Sequence, residues 1–159
     1  MKNNFSKIEL LVCDFDGVLT DNKVYSDENG IESVRCDRSD SLGIDYYKKD
    51  GREILVISKE TNKVVKARCD KLGIRVFYGN DSKLDLFKKE VKKLNLMMDK
   101  VCYVGNDIND LDCIKEAGIG VAVNDSYPEV IEVADYVTKR KGGDGAVREI
   151  CDLITQYKR

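Results

Sequence analysis

The chain has 159 residues, of which 42% are hydrophobic and 35% are charged, and its formal net charge is −2. This length predicts one domain over residues 1–159, this composition excludes a disordered chain, and this charge argues against a general nucleic-acid binder. Because the chain contains no histidine, a Ser-His-Asp triad, a Cys-His pair and histidine metal sites are excluded.

Apolar runs that predict strands alternate with stretches that predict helices. The first strand is predicted over residues 8–15, and a hairpin follows at about 22–36 because Asn29-Gly30 is a strong turn signal. Later strands are predicted over 53–57, 74–78, 101–104, 119–123 and 136–137. Helices are predicted over 41–49, 62–72, 82–94, 109–117 and 146–157, with a further one near Pro128. This alternation predicts an α/β fold with a parallel, Rossmann-like sheet and helices on both faces.

The first residues, MKNNFSKIELLV, contain no long apolar core and no small-residue cleavage site. We therefore expect a cytoplasmic protein without a membrane-spanning segment. The six cysteines form no CxxC pair, and some, such as Cys13 and Cys102, fall inside strand-like runs. Reduced and mostly buried thiols are expected.

Polar side chains follow the apolar runs at the points where the predicted strands end. In sheets of this kind, ligands bind at the carboxyl ends of the strands. We therefore expect these side chains to share one edge of the sheet. They are, in chain order, Asp14 and Asp16, Ser58, the loop 79–83 with Lys83, and Gly105-Asn106-Asp107.

Such a set of residues suits phosphoryl transfer. Oxygen ligands from two strand ends are what a hard divalent cation needs, and without a cation the carboxylates would raise each other's pKa. A lysine and a hydroxyl can hold phosphate oxygens, and an aspartate can be the nucleophile. Phosphoryl transfer depends on positioning and on charge stabilisation more than on histidine. The sequence therefore predicts an oxygen-held metal, with magnesium as the main candidate.

Each motif also has an ordinary structural interpretation. An Asp-x-Asp sequence after a strand is usually a polar turn, and Ser58 alone is more often a helix N-cap. Lys83 alone is more often a surface charge, and GNDIND alone is typical of an Asx-rich turn. The order of the motifs on successive strand ends favours the functional interpretation.

The motifs resemble those of the haloacid dehalogenase-like superfamily. DFDGVLTD resembles its first motif, DxDGxxTD, and VGNDINDLDCIKEAG resembles its fourth. Ser58 at the end of LVIS and Lys83 in GNDSK match its second and third motifs. The resemblance extends from about residue 10 to residue 150. Within the superfamily the chain is similar to the capless phosphatases of 3-deoxy-sugar acids, most of all to the phosphatase-like domain of CMP-sialic acid synthetases.

Three further stretches are similar to that subgroup. They are VRCDRSDSLGID after the hairpin, TNKVVKARCDKLGI after the second motif, and KGGDGAVREICDLI near the C-terminus. The subgroup includes the phosphatases of 3-deoxy-D-manno-octulosonate (KDO) 8-phosphate and of KDN 9-phosphate. The resemblance implies a magnesium-dependent phosphomonoesterase that acts on a phosphorylated sugar acid through an aspartyl-phosphate.

The resemblance also assigns roles to individual residues. Asp14 would attack phosphorus, and its carboxylate and the backbone carbonyl of Asp16 would bind magnesium with Asn106 or Asp107. Asp16 would protonate the leaving oxygen and later activate water. Ser58 and Lys83 would hold phosphoryl oxygens, and Asp110 would orient Lys83 or a water on the metal. Substrate-binding residues are expected at Gly17, Thr20, Lys59, Arg68, Lys141 and Arg148.

The spacing of the motifs predicts that no cap domain is present. About twenty residues separate Thr20 from Asp40, which is enough for a hairpin only, and four residues lie between Tyr78 and Lys83. In the resembling family, hairpins assemble a tetramer in which a neighbouring subunit covers the site. We expect a homotetramer with shared sites here, in which Lys141 and Arg148 meet the carboxylate of the substrate.

Two residues depart from the family pattern. Asn106 stands where a metal-binding aspartate is usual, and SKE at 58–60 replaces T-G-R, so Glu60 stands where an arginine is expected. Both departures resemble the members related to sialic acid. They leave open an alternative, a phosphatase-like assembly or regulatory domain linked to a cytidylyltransferase. A response-regulator receiver is a weaker alternative, because its phosphorylated aspartate ends the third strand, whereas the acidic pair here follows the first.

Overall fold

A computed structural model describes residues 4–79 and 81–156. The described residues form a six-stranded sheet in the order β5-β4-β1-β6-β7-β8, in which every pairing is parallel. A separate antiparallel hairpin consists of β2 (Thr20–Ser26) and β3 (Glu32–Cys36). The strands of the sheet are β1 (Leu10–Cys13), β4 (Glu53–Ile57), β5 (Arg75–Phe77), β6 (Val101–Gly105), β7 (Ile119–Ala122) and β8 (Tyr136–Val137).

Helices cover both faces of the sheet, because successive side chains of the central strand β1 enter two different cores. Leu11 and Cys13 pack into the core that α1, α2 and α6 cover, and Leu10 and Val12 pack into the core under α3, α4 and α5. The α/β prediction, including the hairpin, is confirmed. The helices are α1 (Arg38–Lys49), α2 (Val64–Leu72), α3 (Lys83–Lys93), α4 (Leu111–Glu116), α5 (Pro128–Val133) and α6 (Ala146–Thr155).

In the part of the chain that the structure describes, no helix is both long and apolar enough to cross a bilayer. All six cysteines are free thiols, and all but the half-buried Cys36 are buried. Reduced, mostly buried thiols are what the sequence predicts.

Side-chain caps shift several element boundaries from their predicted positions. Helix α1 begins at Arg38 and not at residue 41, because the Asp37 carboxylate accepts the Ser39 N–H at 2.6 Å and caps the helix. The predicted helix 109–117 is divided into a 3₁₀ turn, Ile108–Asp110, and the short helix α4. The hairpin begins at Thr20, two residues early. Residue 157, the predicted end of the last helix, lies outside the described residues.

Asp40 connects α1 to the start of α6. Its Oδ1 accepts the N–H of Arg148 at 2.8 Å and so caps α6, whose own N-cap residue, Gly145, has no side chain. Its Oδ2 is buried and has no hydrogen-bond partner within residues 4–79 and 81–156. Burial raises the pKa of Asp40 to about 7, although the hydrogen bond from Arg148 opposes this.

We expect the Asp40→Asn variant to lose the pH dependence that this carboxyl confers on stability. Since the folded protein binds the proton of Asp40 more tightly than the unfolded chain, the free energy of unfolding falls as pH rises from about 4 to 7. The total fall is on the order of a few kcal/mol. Urea unfolding between pH 4.5 and 8 measures it, with Asp45→Asn, at an exposed position of the same helix, as the control. Parallel pH profiles for Asp40→Asn and the wild type would contradict the prediction.

Candidate active site

The carboxyl ends of three neighbouring strands open on one cavity of about 210 Å³. Asp14 extends β1, since its N–H donates to the Val104 carbonyl at 2.9 Å, and Ser58 extends β4 by donating to the Phe77 carbonyl at 2.8 Å. Asn106 follows β6. The structure therefore brings together side chains that are distant in sequence. The cavity is lined by Asp14, Asp16, Asn22, Ser58, Lys59, Glu60, Asn106, Asp107 and Asn109.

Lys83 is a buried cation between two buried carboxylates. Its Nζ lies 2.8 Å from Asp14 Oδ1 and 2.8 Å from Asp110 Oδ1, and only 3% of the residue is exposed. Burial alone would lower the pKa of Lys83, but the carboxylates of Asp14 and Asp110 raise it above its ordinary value. The lysine is therefore charged and held beside Asp14.

Asp110 holds this lysine and also the turn that follows β6. Its Oδ1 accepts the Tyr103 hydroxyl at 2.9 Å in addition to Lys83, and its Oδ2 accepts the N–H groups of Asn106 at 3.0 Å and Asp107 at 3.4 Å. The structure thus places Asp110 against Lys83, and the orienting role that the resemblance implies stays a prediction. Tyr103 was not predicted, because a tyrosine inside an apolar strand is typical of a core residue.

The two aspartates of the first motif have different surroundings. Burial and the Asp110 carboxylate together raise the pKa of Asp14 to about 7, although Lys83 opposes both effects. Burial and the Glu60 carboxylate raise the pKa of the half-buried Asp16. Asp14 is thus a buried carboxylate whose charge Lys83 compensates only in part, and Asp16 is suited to carry a proton.

Gly17 and Thr20 shape the turn that carries Asp16. Gly17 has a φ of +81°, and a Cβ there would lie 2.0 Å from Asn106 Nδ2, so the position requires glycine. The buried Thr20 hydroxyl accepts the N–H groups of Gly17 at 3.0 Å and Asn22 at 3.1 Å. The Thr20 hydroxyl therefore makes hydrogen bonds within the turn, whereas the sequence analysis predicts that Thr20 contacts the substrate.

The glycine-rich stretch near the C-terminus packs against this turn. A Cβ on Gly142 would lie 1.8 Å from the Gly17 carbonyl oxygen, and the Gly143 N–H donates to the Val18 carbonyl at 3.0 Å. The exposed Lys141 precedes these two glycines. The close backbone contact explains the paired glycines and places Lys141 next to the loop that carries the site.

Two predicted substrate residues, Arg68 and Arg148, do not line the cavity at Asp14. Arg148 Nε donates to both carboxylate oxygens of Asp152 at 2.8 and 2.9 Å, and its guanidinium lies over the Tyr46 ring. Arg68 Nη2 donates to Ser41 Oγ at 2.8 Å. A role in substrate binding stays a prediction for both residues, and for Arg148 it is predicted at a site shared with a neighbouring subunit. The exposed Lys59 does line the cavity.

The side-chain oxygen of Asn106 indicates whether the site can bind a cation. Asn106 Oδ1 is buried and accepts no hydrogen bond from the described residues, whereas Asp107 Oδ1 accepts the Ile108 N–H at 2.7 Å. No group of three His, Cys, Asp or Glu side chains within residues 4–79 and 81–156 suits a metal ion. A shell begun by Asp14 would therefore take its further protein ligands from nearby oxygens, which include the Asn106 amide, the Asp107 carboxylate and backbone carbonyls. The unpartnered oxygen of Asn106 fits this requirement.

Comparisons with known proteins agree with this geometry. The family model of haloacid dehalogenase-like hydrolases matches residues 53–150. The chain is 40% identical over 148 residues to 3-deoxy-D-manno-octulosonate 8-phosphate phosphatase KdsC of Escherichia coli K12, which covers 92% of this chain and 79% of that protein.

Solved structures of such phosphatases are similar as well. The enzyme from Moraxella catarrhalis, solved in complex with a magnesium ion, a phosphate ion and KDO, has a TM-score of 0.93 at 33% identity, over 96% of this chain and 88% of that one. The cobalt-bound enzyme from Haemophilus influenzae has a TM-score of 0.91 at 30% identity, over 96% and 90% of the two chains. The receiver alternative is thereby excluded. The chain belongs to the haloacid dehalogenase-like hydrolases, in the branch that contains the 3-deoxy-D-manno-octulosonate 8-phosphate phosphatases.

Proposed function

We propose that the protein is a magnesium-dependent phosphomonoesterase of a phosphorylated 3-deoxy-sugar acid, with KDO 8-phosphate as the first candidate substrate. The observation that carries the proposal is the buried Asp14 carboxylate, 2.8 Å from Lys83, on a cavity that Asp16 and Ser58 also line. The similarity to phosphatases of KDO 8-phosphate supports the choice of substrate.

The first half of the proposed reaction transfers the phosphoryl group to Asp14. A carboxylate oxygen of Asp14 bonds to phosphorus while the bond from phosphorus to the sugar oxygen breaks. Asp16 donates a proton to that departing oxygen, and the raised pKa of Asp16 favours the protonated form that this step needs. Lys83 and Ser58 hold the phosphoryl oxygens.

The second half releases phosphate and restores the enzyme. Asp16, now ionised, takes a proton from water, and the resulting hydroxide oxygen bonds to phosphorus as the bond to Asp14 breaks. Asp14 is freed as a carboxylate, and Asp16 is again protonated. Asp110, whose Oδ1 lies 2.8 Å from Lys83 Nζ, would hold the lysine in place in both halves.

The chain can hold magnesium through oxygen atoms. The Asp14 carboxylate, the Asp16 backbone carbonyl and the unpartnered Asn106 amide oxygen would be its protein ligands. Magnesium, when bound, supplies positive charge that offsets the negative charge of the phosphoryl oxygens. The same charge would favour the ionised form of Asp14, whose pKa burial raises.

We expect Asn106→Asp to bind magnesium more tightly, by about tenfold, because a second carboxylate joins the shell. Calorimetric titration with magnesium measures the affinity without turnover. Asn109→Asp, which adds the same charge on the exposed rim of the cavity, is the matched control. An unchanged affinity in Asn106→Asp would remove Asn106 from the metal shell.

A phosphate-release assay tests the function. The substrates are KDO 8-phosphate, KDN 9-phosphate and N-acetylneuraminate 9-phosphate, each with magnesium and with a chelator. We expect magnesium-dependent release from at least one of them, and none in the chelator. Preference for a 9-phosphate would support the sialic-acid-related substrate that Glu60 and Asn106 favour. No release from any would support the assembly or regulatory role beside a cytidylyltransferase.

We also propose that the enzyme is a cytoplasmic homotetramer with sites shared between subunits. The free thiols support a reducing compartment. Val24, Tyr25 and Ile31 on the hairpin are 54%, 61% and 66% exposed, which supports an apolar contact between copies. Measurement of the mass in solution tests this, and a clean monomer would contradict it.

A further inference from the structure

We propose that Asn22 is a specificity residue whose side-chain amide binds hydroxyl groups of the leaving sugar beside Asp16. This inference rests on the proposed phosphatase function and adds a recognition element to it. It starts from a residue to which neither the motifs nor the proposed reaction gives a role.

Asn22 lies on the wall of the catalytic cavity. It lines the same cavity as Asp14 and Asp16, and its side chain is exposed. It belongs to β2 at a point where the pairing of β2 with β3 is irregular, between Thr20 and Val24. Among the described residues, no partner accepts or donates a hydrogen bond at its side-chain amide. The amide is therefore available to a ligand in the cavity.

The backbone of Asn22 has an uncommon conformation. Its φ is +62°, in the left-handed region, which asparagine tolerates better than most residues but glycine adopts without strain. The Asn22 N–H is held at 3.1 Å by the Thr20 hydroxyl, which also holds the Gly17 N–H at 3.0 Å. One buried hydroxyl thus fixes Asn22 relative to the turn that carries Asp16.

The proposed reaction places the leaving group beside Asn22. Asp16 has to reach the oxygen that departs from phosphorus, so the sugar occupies the cavity on the side of Asp16. Glu60 also lines the cavity, but its Oε1 already accepts the N–H groups of Thr61 at 2.7 Å and Asn62 at 2.9 Å. A neutral amide both donates and accepts, which matches the hydroxyl groups of a sugar.

The test compares a sugar substrate with one that has no hydroxyl groups. We expect Asn22→Gly to lower kcat/KM for KDO 8-phosphate by about tenfold, mainly through KM, since a hydrogen bond to the sugar is lost. Hydrolysis of p-nitrophenyl phosphate is expected to stay unchanged. The melting temperature is expected to stay equal or to rise, because glycine adopts the φ of +62° without strain.

A matched control and three outcomes make the test decisive. Asn95→Gly makes the same substitution at an exposed position with a φ of +53° beyond the end of α3, and it is expected to change neither substrate. An equal loss of kcat/KM on both substrates would overturn the inference, because Asn22 would then support the turn and not the sugar. No loss on either would overturn it as well. If the wild type hydrolyses neither substrate, the proposed function itself fails, and the inference fails with it.

Discussion

Asp14→Asn is expected to lower kcat by more than about 10⁴-fold, since an amide cannot form the bond to phosphorus that the proposed reaction requires. The fold is expected to persist, because the substitution removes a buried charge and leaves Lys83 paired with Asp110 at 2.8 Å. The melting temperature is therefore expected to equal or exceed that of the wild type. This combination of lost turnover and retained stability is expected of a residue that acts in the reaction and is not needed for folding.

Phosphate release and thermal unfolding measure the two halves of this prediction on the same preparation. Asp99→Asn, at an exposed position in the turn before β6, is the control and is expected to change neither. Phosphate release within tenfold of the wild-type rate in Asp14→Asn would remove Asp14 as the nucleophile. A large fall in melting temperature would instead indicate that the carboxylate is needed for folding.

Lys83→Met is expected to reduce both turnover and stability, the latter by about 3–5 kcal/mol. Lys83 is the cation that Asp14 and Asp110 share, so its removal leaves two buried carboxylates without compensation. Burial and Asp110 already raise the pKa of Asp14, and the loss of Lys83 raises it further. Because a raised carboxyl pKa means that stability is lost as pH rises, the destabilisation is expected to be larger at pH 8 than at pH 6.

Urea unfolding at the two pH values tests this prediction. The control is Lys88→Met, one and a half turns along the same helix, where the ion pair with Glu116 spans 3.3 Å and both side chains are well exposed. An exposed pair of this kind contributes less than about 1 kcal/mol. Equal losses of stability in the two variants would show that the buried network does not depend on Lys83.

The strands and their catalytic ends could be predicted from the sequence because both signals are local. The apolar run before Asp14 and the one before Ser58 each form a buried strand, so the residues that follow them had to meet at one edge. The start of α1 could not be predicted from the sequence, since it depends on the Asp37 carboxylate, which accepts hydrogen bonds from the N–H and the hydroxyl of Ser39. A single capping residue is a weaker sequence signal for the start of a helix than an apolar run is for a strand.

Side-chain contacts that no sequence motif marks account for other features of the site. The ion pair of Arg148 with Asp152, four residues later on the same helix, is an example, and the predicted contact of Arg148 with the substrate stays a prediction. Tyr103 could not be identified as a site residue from the sequence. Its only link to the site is the hydrogen bond that its hydroxyl donates to the Asp110 carboxylate, seven residues away. Asn22 belongs to no recognised motif, and only its position on the cavity wall identifies it as a candidate specificity residue.

The contact between Gly142 and the carbonyl of Gly17 has a consequence for the order in which the protein matures. The turn that carries Asp16 directly follows β1, while the backbone that packs against it is synthesised more than a hundred residues later. Contacts between such distant segments form late, after the loop between them has closed. The nascent chain can therefore form β1 early but completes the surroundings of Asp16 only when residues 142 and 143 have emerged. Hydrolytic activity should accordingly arise only after residues 142 and 143 have been synthesised, and a chain that stops before them should be unable to cleave phosphate esters.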